Sequence, residues 1–234
     1  MNLLAIETST DACSVGLSVD GELLLDHRIA AQQHGVLVLP MVDALMNRAG
    51  MAPAQIDGVI FGRGPGSFTG VRIGVAVTQG IALGADAGVH GVSTLQSLAQ
   101  GCYRVHGETH VAVSLDARMD EVYFAAFACD DEGVMQPVID EMLVAPGQVP
   151  DLPTGSDWCW AGSGAERYRE QVLASALDAR IHADCWPMAQ DLLRLGLAAV
   201  STSALLPAEQ AAPVYLRDKV AQTTAERAAL ARCD

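Results

Sequence analysis

Four stretches of this sequence hold residue types at spacings that could do chemistry. "GRGPGS" at 62–67 follows an apolar, strand-like run and precedes a helical one. Backbone N–H groups at such a junction can cradle an anion. Neither nucleotide fingerprint is complete, however. Ser67 stands where the third glycine of a dinucleotide loop belongs, no acidic residue closes a following strand, and no lysine precedes Ser67 or Thr69 as a P-loop requires. "IETSTD" places Glu7 and Asp11 around a turn with Thr8, Ser9 and Thr10 between them. An acid there can orient a metal-bound water or a hydroxyl. The same short side chains equally suit a turn that bonds its own backbone.

"HGETH" sets His106 and His110 four apart, a ligand spacing when both lie on one helix face. Gly107 interrupts it, a strand is expected from His110, and the glutamate is misplaced for a zinc-protease motif, so no metal site is assigned. "AGSGAERY" joins a strand to a helix and could approach an adenosine or phosphate; a glycine turn there is also expected for folding alone. No Ser-His-Asp order or nucleophile elbow is present. The six cysteines are scattered without a C-x-x-C pair, which points to reduced thiols in a cytoplasm and away from a disulfide framework or zinc ribbon.

The elements that must position these residues read as α/β. "LLAIE", "CSVGLSV" and "ELLLDHRI" are three strands of an antiparallel meander, with Asp20-Gly21 as a hairpin turn. A helix from about His34 to Ala49 should end at Gly50. "IDGVIFG" and "GVHGV" are strands flanking the glycine-rich loop and its helix. Ser93 and Gln96 form a capping box for the next helix. The pattern then restarts: "HVAVSLDARMDEVYFAAFACDDEGVMQPVI" repeats strand, acidic turn, strand, acidic glycine turn, strand, with Asp116 in the place of Glu7. "DWCWAGSG" is a further strand and loop, a helix should start near Ala165, and Pro187 should occupy the first position of another. Two such units imply the duplicated actin-like, sugar-kinase-like architecture. Its expected parts are a first lobe at 1–108, a second at 109–216 and a polar tail at 217–234.

The helix after the glycine loop poses its own problem. An interior glycine costs a helix about 1 kcal/mol relative to alanine, yet Gly70, Gly74, Gly80 and Gly84 all fall inside it. Gly66, Gly70, Gly74 and Thr78 share one stripe, which would let a second helix approach closely. With apolar residues nearly all round, the helix should be covered on every side, from within its own domain or by a partner chain.

Half of the 234 residues are apolar, so the chain folds around a core. Twenty-eight acidic against 14 basic residues give a net charge of -14, which argues against a wide nucleic-acid surface. The first ten residues read as a buried strand and not a signal peptide.

"AIETSTDACSVGL", "QQHGVLVLPMVDALM", "GRGPGSFTGVRIGVAVTQGIALG", "GVSTLQSLA", "DARMDEVYFAAF" and "PVYLR" together resemble the TsaB family, also called YeaZ, from Met1 to about Arg217. The resemblance implies a non-catalytic, cytoplasmic actin-like paralogue of the enzyme TsaD. The pair, joined by the P-loop ATPase TsaE, makes N6-threonylcarbamoyladenosine in tRNAs reading codons that begin with A. The catalytic relative shares the "IETS-x-D" opening but carries a metal-binding H-x-E-x-H helix where "GVSTLQSLA" stands; no histidine occurs from Val92 to Gln100.

By resemblance, two helices of this chain pack on two of the partner in a four-helix interface, and the same face makes homodimers. The implied contacts are His34, Leu37, Pro40, Met41 and Leu45 on the first helix. On the second they are Gly66, Phe68, Thr69, Gly70, Arg72, Ile73, Gly74 and Val77. Glu7, Thr8, Ser9 and Asp11 would lie near a nucleotide. The chain has no cofactor of its own, with ATP or ADP allowed at interfaces of the complex, and tRNA is reached only through the complex. Arg63 and Arg72 could face nucleotide, partner or tRNA. A stand-alone actin-fold ATPase or phosphotransferase is the competing function, and a glycoprotease-like hydrolase is a third without a nucleophile.

Overall fold

The computed structural model of the protein describes residues 1–172, 179–201 and 203–217. The expected tail therefore lies outside the described residues from 218 onward. The chain opens with β1 (Leu3–Glu7), β2 (Ala12–Val19) and β3 (Glu22–Ile29), then α1 (His34–Ala49), β4 (Gly58–Gly62), α2 (Phe68–Ala85), β5 (Gly88–Val92) and α3 (Thr94–His106). A second series follows: β6 (His110–Asp116), β7 (Val122–Cys129), β8 (Met135–Val144), β9 (Cys159–Ala161), α4 (Ser163–Arg167), α5 (Arg169–Val172), β10 (Ile181–His182) and α6 (Ala189–Val200).

The sheets have orders β3-β2-β1-β4-β5 and β8-β7-β6-β9-β10, the same topology twice. In each, an antiparallel meander is extended by parallel strands across its first strand. This is the duplicated actin-like α/β fold.

Strand β1 is apolar along its length because helices cover both of its faces. Leu4 and Ile6 meet Val38, Met41 and Leu45 of α1 and Val71 and Val75 of α2. Leu3 and Ala5 meet Ala189, Leu192 and Leu193 of α6. Burying one such aliphatic side chain is worth about 1.5–3 kcal/mol. Helix α1 ends on left-handed Gly50 (φ 64°), as its sequence predicts.

Three local expectations need correction. Ser93 caps α3 by accepting from the Gln96 N–H (3.1 Å), but the Gln96 side chain donates to the Met135 carbonyl (2.7 Å) instead of closing a capping box. The helix expected from Ala165 is the two short helices α4 and α5. Pro187 precedes α6 without entering it, because the Ser14 hydroxyl accepts the Ala189 N–H (3.0 Å) and sets the start from the other lobe.

The sheets divide near residue 108, but the helices are exchanged between lobes. Helix α3, before that boundary, packs on the second sheet through Leu95, Leu98 and Cys102. Helix α6, after it, covers the back of the first sheet. The exchanged helices are joined by Arg104 and buried Asp191, with Nε–Oδ1 at 2.8 Å and Nη2–Oδ2 at 3.0 Å. A strap at 205–217 also returns to the first lobe, where Leu206 bridges Val89 and Val214 donates to the Arg63 carbonyl (2.8 Å). By length and composition α2 is apolar enough to cross a membrane (mean hydropathy 1.3), yet its inner side is sealed on β1 and β4.

Candidate functional site

An open cleft of about 830 Å³ lies between the lobes. Ser9 and Asp11 of the β1–β2 turn, Asp116 and Arg118 of the β6–β7 turn, and Ser163 and Arg167 at α4 line it. Its arginines are engaged by carboxylates: Arg167 Nη1 sits 3.1 Å from Asp116 Oδ2, and Arg217 Nη1 sits 2.6 Å from Glu121 Oε2. Asp116 Oδ1 also accepts the Arg118 N–H (2.9 Å), which steadies a turn whose residues Arg118, Met119 and Asp120 are all left-handed. Arg217, at the end of the strap, donates to the Ala117 carbonyl (3.0 Å) and ties strap to turn.

The first-turn residues divide between two surroundings. Glu7 has no exposed surface, and its Oε1 accepts the Ser9 N–H (2.7 Å) and the Ser9 hydroxyl. Thr94 donates in turn to the Ser9 hydroxyl (2.9 Å). Burial raises the Glu7 carboxyl above its ordinary value against the pull of the Ser9 hydrogen bonds. The carboxylate fits only because Gly62 is beside it: a Cβ there would overlap Oε2. Thr8 likewise turns inward and donates to the Gly70 carbonyl (2.8 Å). Ser9 and Asp11 line the cleft; Glu7 and Thr8 do not.

The glycine loop closes on the same turn. Ser67 donates its N–H to the Ser9 carbonyl (2.7 Å), and the Ser67 hydroxyl accepts from the Gly70 N–H (3.4 Å). Side chains at Gly66, Gly70 or Gly74 would strike Ser9 or Thr8, the last at 2.6 Å from Thr8 Oγ1. The stripe at Gly66, Gly70 and Gly74 is therefore filled from within the lobe by the β1–β2 turn, and Thr78 further along it is buried.

Other expected contact residues are also internal. Met41 and Leu45 are fully buried in the first core, and His34 is buried with Nε2 3.2 Å from the Ala12 carbonyl oxygen. Their side chains lie on the inward stripe of α1, beneath the sheet's own strands. Pro40, Phe68, Thr69 and Arg72 are exposed, and Leu37, Gly66, Ile73 and Val77 are partly exposed. Arg72 is held over the Phe68 ring (3.5 Å) while its Nε donates to the Tyr215 hydroxyl (2.7 Å), and Arg63 pairs with Glu141 of β8 (3.1 Å).

A different set of residues forms the outer face. Gly35 of α1 meets Ile73 of α2 at 3.7 Å from the position of a Cβ, so the two helices lie side by side. Outside that seam Val36 is 71% exposed, Leu39 53% and Leu83 64%. Among the described residues, Gly80 and Gly84 have nothing within 4 Å of a Cβ position. Sequence reasoning missed them because both glycine stripes have helical spacing. The signal available was the second stripe, Ala76, Gly80 and Gly84.

The histidines of "HGETH" point apart. His106 stacks on His182 (3.9 Å between centroids), while His110 meets the edge of Trp158 (5.2 Å). Gly162 and Gly164 lie against Ser114, and the Ser163 hydroxyl accepts the Asp116 N–H (3.2 Å), so "AGSGAERY" braces the second turn.

The family model TsaD, tRNA N6-adenosine threonylcarbamoyltransferase, matches residues 28–228. The tRNA threonylcarbamoyladenosine biosynthesis protein TsaB of Escherichia coli is 37% identical, over 94% of this chain and 96% of its own. That of Haemophilus influenzae is 34% identical, over 94% and 95%. The solved structure of YeaZ from Pseudomonas aeruginosa superposes with a TM-score of 0.87 at 40% identity, over 92% of this chain and 99% of that one. The chain belongs to the TsaB (YeaZ) family.

Proposed function

We propose that this chain is a non-catalytic, activating subunit of the cytoplasmic complex that attaches threonylcarbamoyl to N6 of the adenosine next to the anticodon, in tRNAs reading codons that begin with A. Its α1–α2 face docks on a TsaD-like catalytic paralogue. A TsaE-like P-loop ATPase joins the pair, tRNA is reached only through the complex, and the same face pairs two copies when the paralogue is absent.

The observation that carries this reading is the outer α1–α2 face: exposed Val36, Leu39 and Leu83, and two helix glycines that no contact among the described residues requires. Large apolar side chains left exposed on paired helices support an interaction surface there. The sealed Glu7 adds support, because the acid that could orient a reacting water is removed from the cleft.

The cleft itself favours a second reading, a stand-alone ATPase or phosphotransferase acting through Asp11. Reconstitution separates the two. Threonylcarbamoyl transfer should require this chain together with the paralogue and the ATPase, and this chain alone should neither modify tRNA nor turn over ATP. Robust ATP turnover by the isolated chain, abolished by Asp11→Ala, would overturn the accessory reading.

A further inference from the structure

Outside the cleft's acidic turns, the fold gathers a second set of reactive side chains that the accessory role does not use. Helix α3 presents Cys102 and His106 one turn apart, on one face. Against that face lie Cys159 of β9, His182 of β10, and Asp184 and Cys185 just beyond. Cys102 Sγ is 3.9 Å from Cys159 Sγ, and a ring nitrogen of His182 lies within 4.8 Å of both sulfurs. Cys185 packs in the same core as Cys102 and Cys159, and its sulfur lies within 4.8 Å of a ring nitrogen of His106 and a carboxylate oxygen of Asp184. His182 is itself held: Nε2 is 3.0 Å from Glu108 Oε1, and Arg180 grips the Glu108 carboxylate at 2.9 Å through both Nε and Nη2.

Thiols often pack in cores simply as small hydrophobes, and these three belong to the second lobe's core. At the exposed edge of that core, however, the thiols meet the stacked imidazoles of His106 and His182, with the Glu108 carboxylate on the latter. A tetrahedral zinc with Zn–S bonds of about 2.3 Å sets its sulfur ligands about 3.8 Å apart, close to the separation already present between Cys102 and Cys159. Soft thiolates with imidazole select zinc over hard cations. A ligating histidine whose other nitrogen is held by a carboxylate is the usual outer arrangement of such sites.

We propose that Cys102, Cys159, Cys185 and His182 form a structural zinc site that pins the end of α3 to the β9–β10 edge of the second lobe. Cys185, packed in the same core, turns its sulfur toward these three and completes the fourth ligand. Glu108 positions His182, and His106 stands behind Cys185. Because Cys185 also lines the cleft, the ion fixes that part of the cleft wall. Burial fits a closed site: Cys102 and Cys159 have no exposed surface and Cys185 almost none.

The test uses the full chain purified without chelator, its zinc measured by mass spectrometry, and the metal-free protein titrated with cobalt. One equivalent of zinc is expected, and one equivalent of cobalt should give thiolate charge-transfer and tetrahedral d–d bands that zinc abolishes. Cys159→Ser should remove the charge-transfer bands, and Cys129→Ser, outside the cluster, should leave them. Should the cysteine variants fail to fold, His182→Ala and Glu108→Gln probe the partly exposed side of the cluster. Glu108→Gln should weaken metal affinity by about 10–100-fold. The proposal is overturned if the wild-type chain takes up neither metal, or if Cys159→Ser or His182→Ala binds as the wild type does. It is also overturned if Cys102 is found quantitatively in a disulfide with Cys159 or Cys185.

Discussion

The two sides of α2 use the same residue for opposite reasons. On the inner side, Gly66, Gly70 and Gly74 make room for Ser9 and Thr8, and a Cβ at Gly70 would overlap the Thr8 carbonyl oxygen. On the outer side, Gly80 and Gly84 meet nothing within 4 Å of a Cβ position, and among the described residues no neighbour explains their cost to the helix. Each set has a four-residue spacing, so periodicity alone cannot tell a glycine that admits its own backbone from one that admits another molecule. What separates them is the β1–β2 turn, which arrives from more than fifty residues away in sequence and fills one side only.

The largest expected effect is on the inner side. Gly70→Leu must displace the Thr8 backbone and not merely a flexible side chain. Overpacking costs about 1–3 kcal/mol and occasionally more, and the top of that range is expected here. At this size each kcal/mol moves Tm by about 2–4 °C, so a thermal melt should fall by roughly 6–12 °C. A melt within a degree or so of wild type would mean that the inner stripe is not closed.

Gly80→Leu is the matching change outside. The isolated chain should melt as wild type or slightly higher, because leucine is the better helix former. Affinity for the TsaD-like paralogue should fall by about tenfold or more, since 1.4 kcal/mol is a factor of ten and overpacking a contact costs about that much. Calorimetric binding reads the affinity, and sedimentation should show the homodimer weakened with it. Normal binding by this variant would remove α2 from the interface.

The sequence made much of this frame legible. Alternation in "CSVGLSV", the Asp20-Gly21 turn and the repeat of the meander announced both sheets, and Gly50 and Ser67 marked helix ends. The exchange of α3 and α6 was hidden, because each helix follows its own lobe's strands and only tertiary packing shows that it covers the other sheet. Buried Met41 and Leu45 were hidden among the apolar residues of α1, where exposed Val36 and Leu39 look chemically the same. The thiol–imidazole cluster left one local trace, Cys102 four residues before His106. Its other members come from β9, β10 and the loop beyond, with no motif spacing to connect them.

Glu7→Gln tests what holds the inner side's partner, the β1–β2 turn. Burial raises the folded carboxyl above its ordinary value of 4.5, so the folded state binds this proton more tightly than the unfolded chain does. Stability from that proton is complete below the unfolded value and is lost as pH rises through the folded one. The glutamine variant lacks this loss. Its Tm relative to wild type should therefore rise from about pH 4 towards neutrality, by less than the Gly70→Leu change. A difference that is flat, or that falls with pH, would show that the Ser9 hydrogen bonds outweigh burial.

Gly84→Ala gives the smallest effect and the finest measure of where the outer face ends. Among the described residues the added methyl meets no atom within 4 Å, so the monomer should lose nothing by it. Replacing glycine by alanine inside a helix gains up to about 1 kcal/mol. Gly84 stands next to the last residue of α2, where the helix is less constrained, so the gain should be a fraction of that and the melt should rise by no more than about 2–4 °C. A partner helix crossing at Gly80 and Gly84 would meet the methyl. At the lower end of the overpacking range, about 1 kcal/mol, affinity would then fall about fivefold. Melting and binding should thus move in opposite directions in one variant, which no purely internal role for the glycine produces. If the melt rises while binding stays unchanged and Gly80→Leu still disrupts it, the contact ends between the two glycines and Leu83 lies at its rim. If Gly84→Ala lowers the melt, the outer side of α2 is constrained from within the chain, and the difference between its two faces is lost.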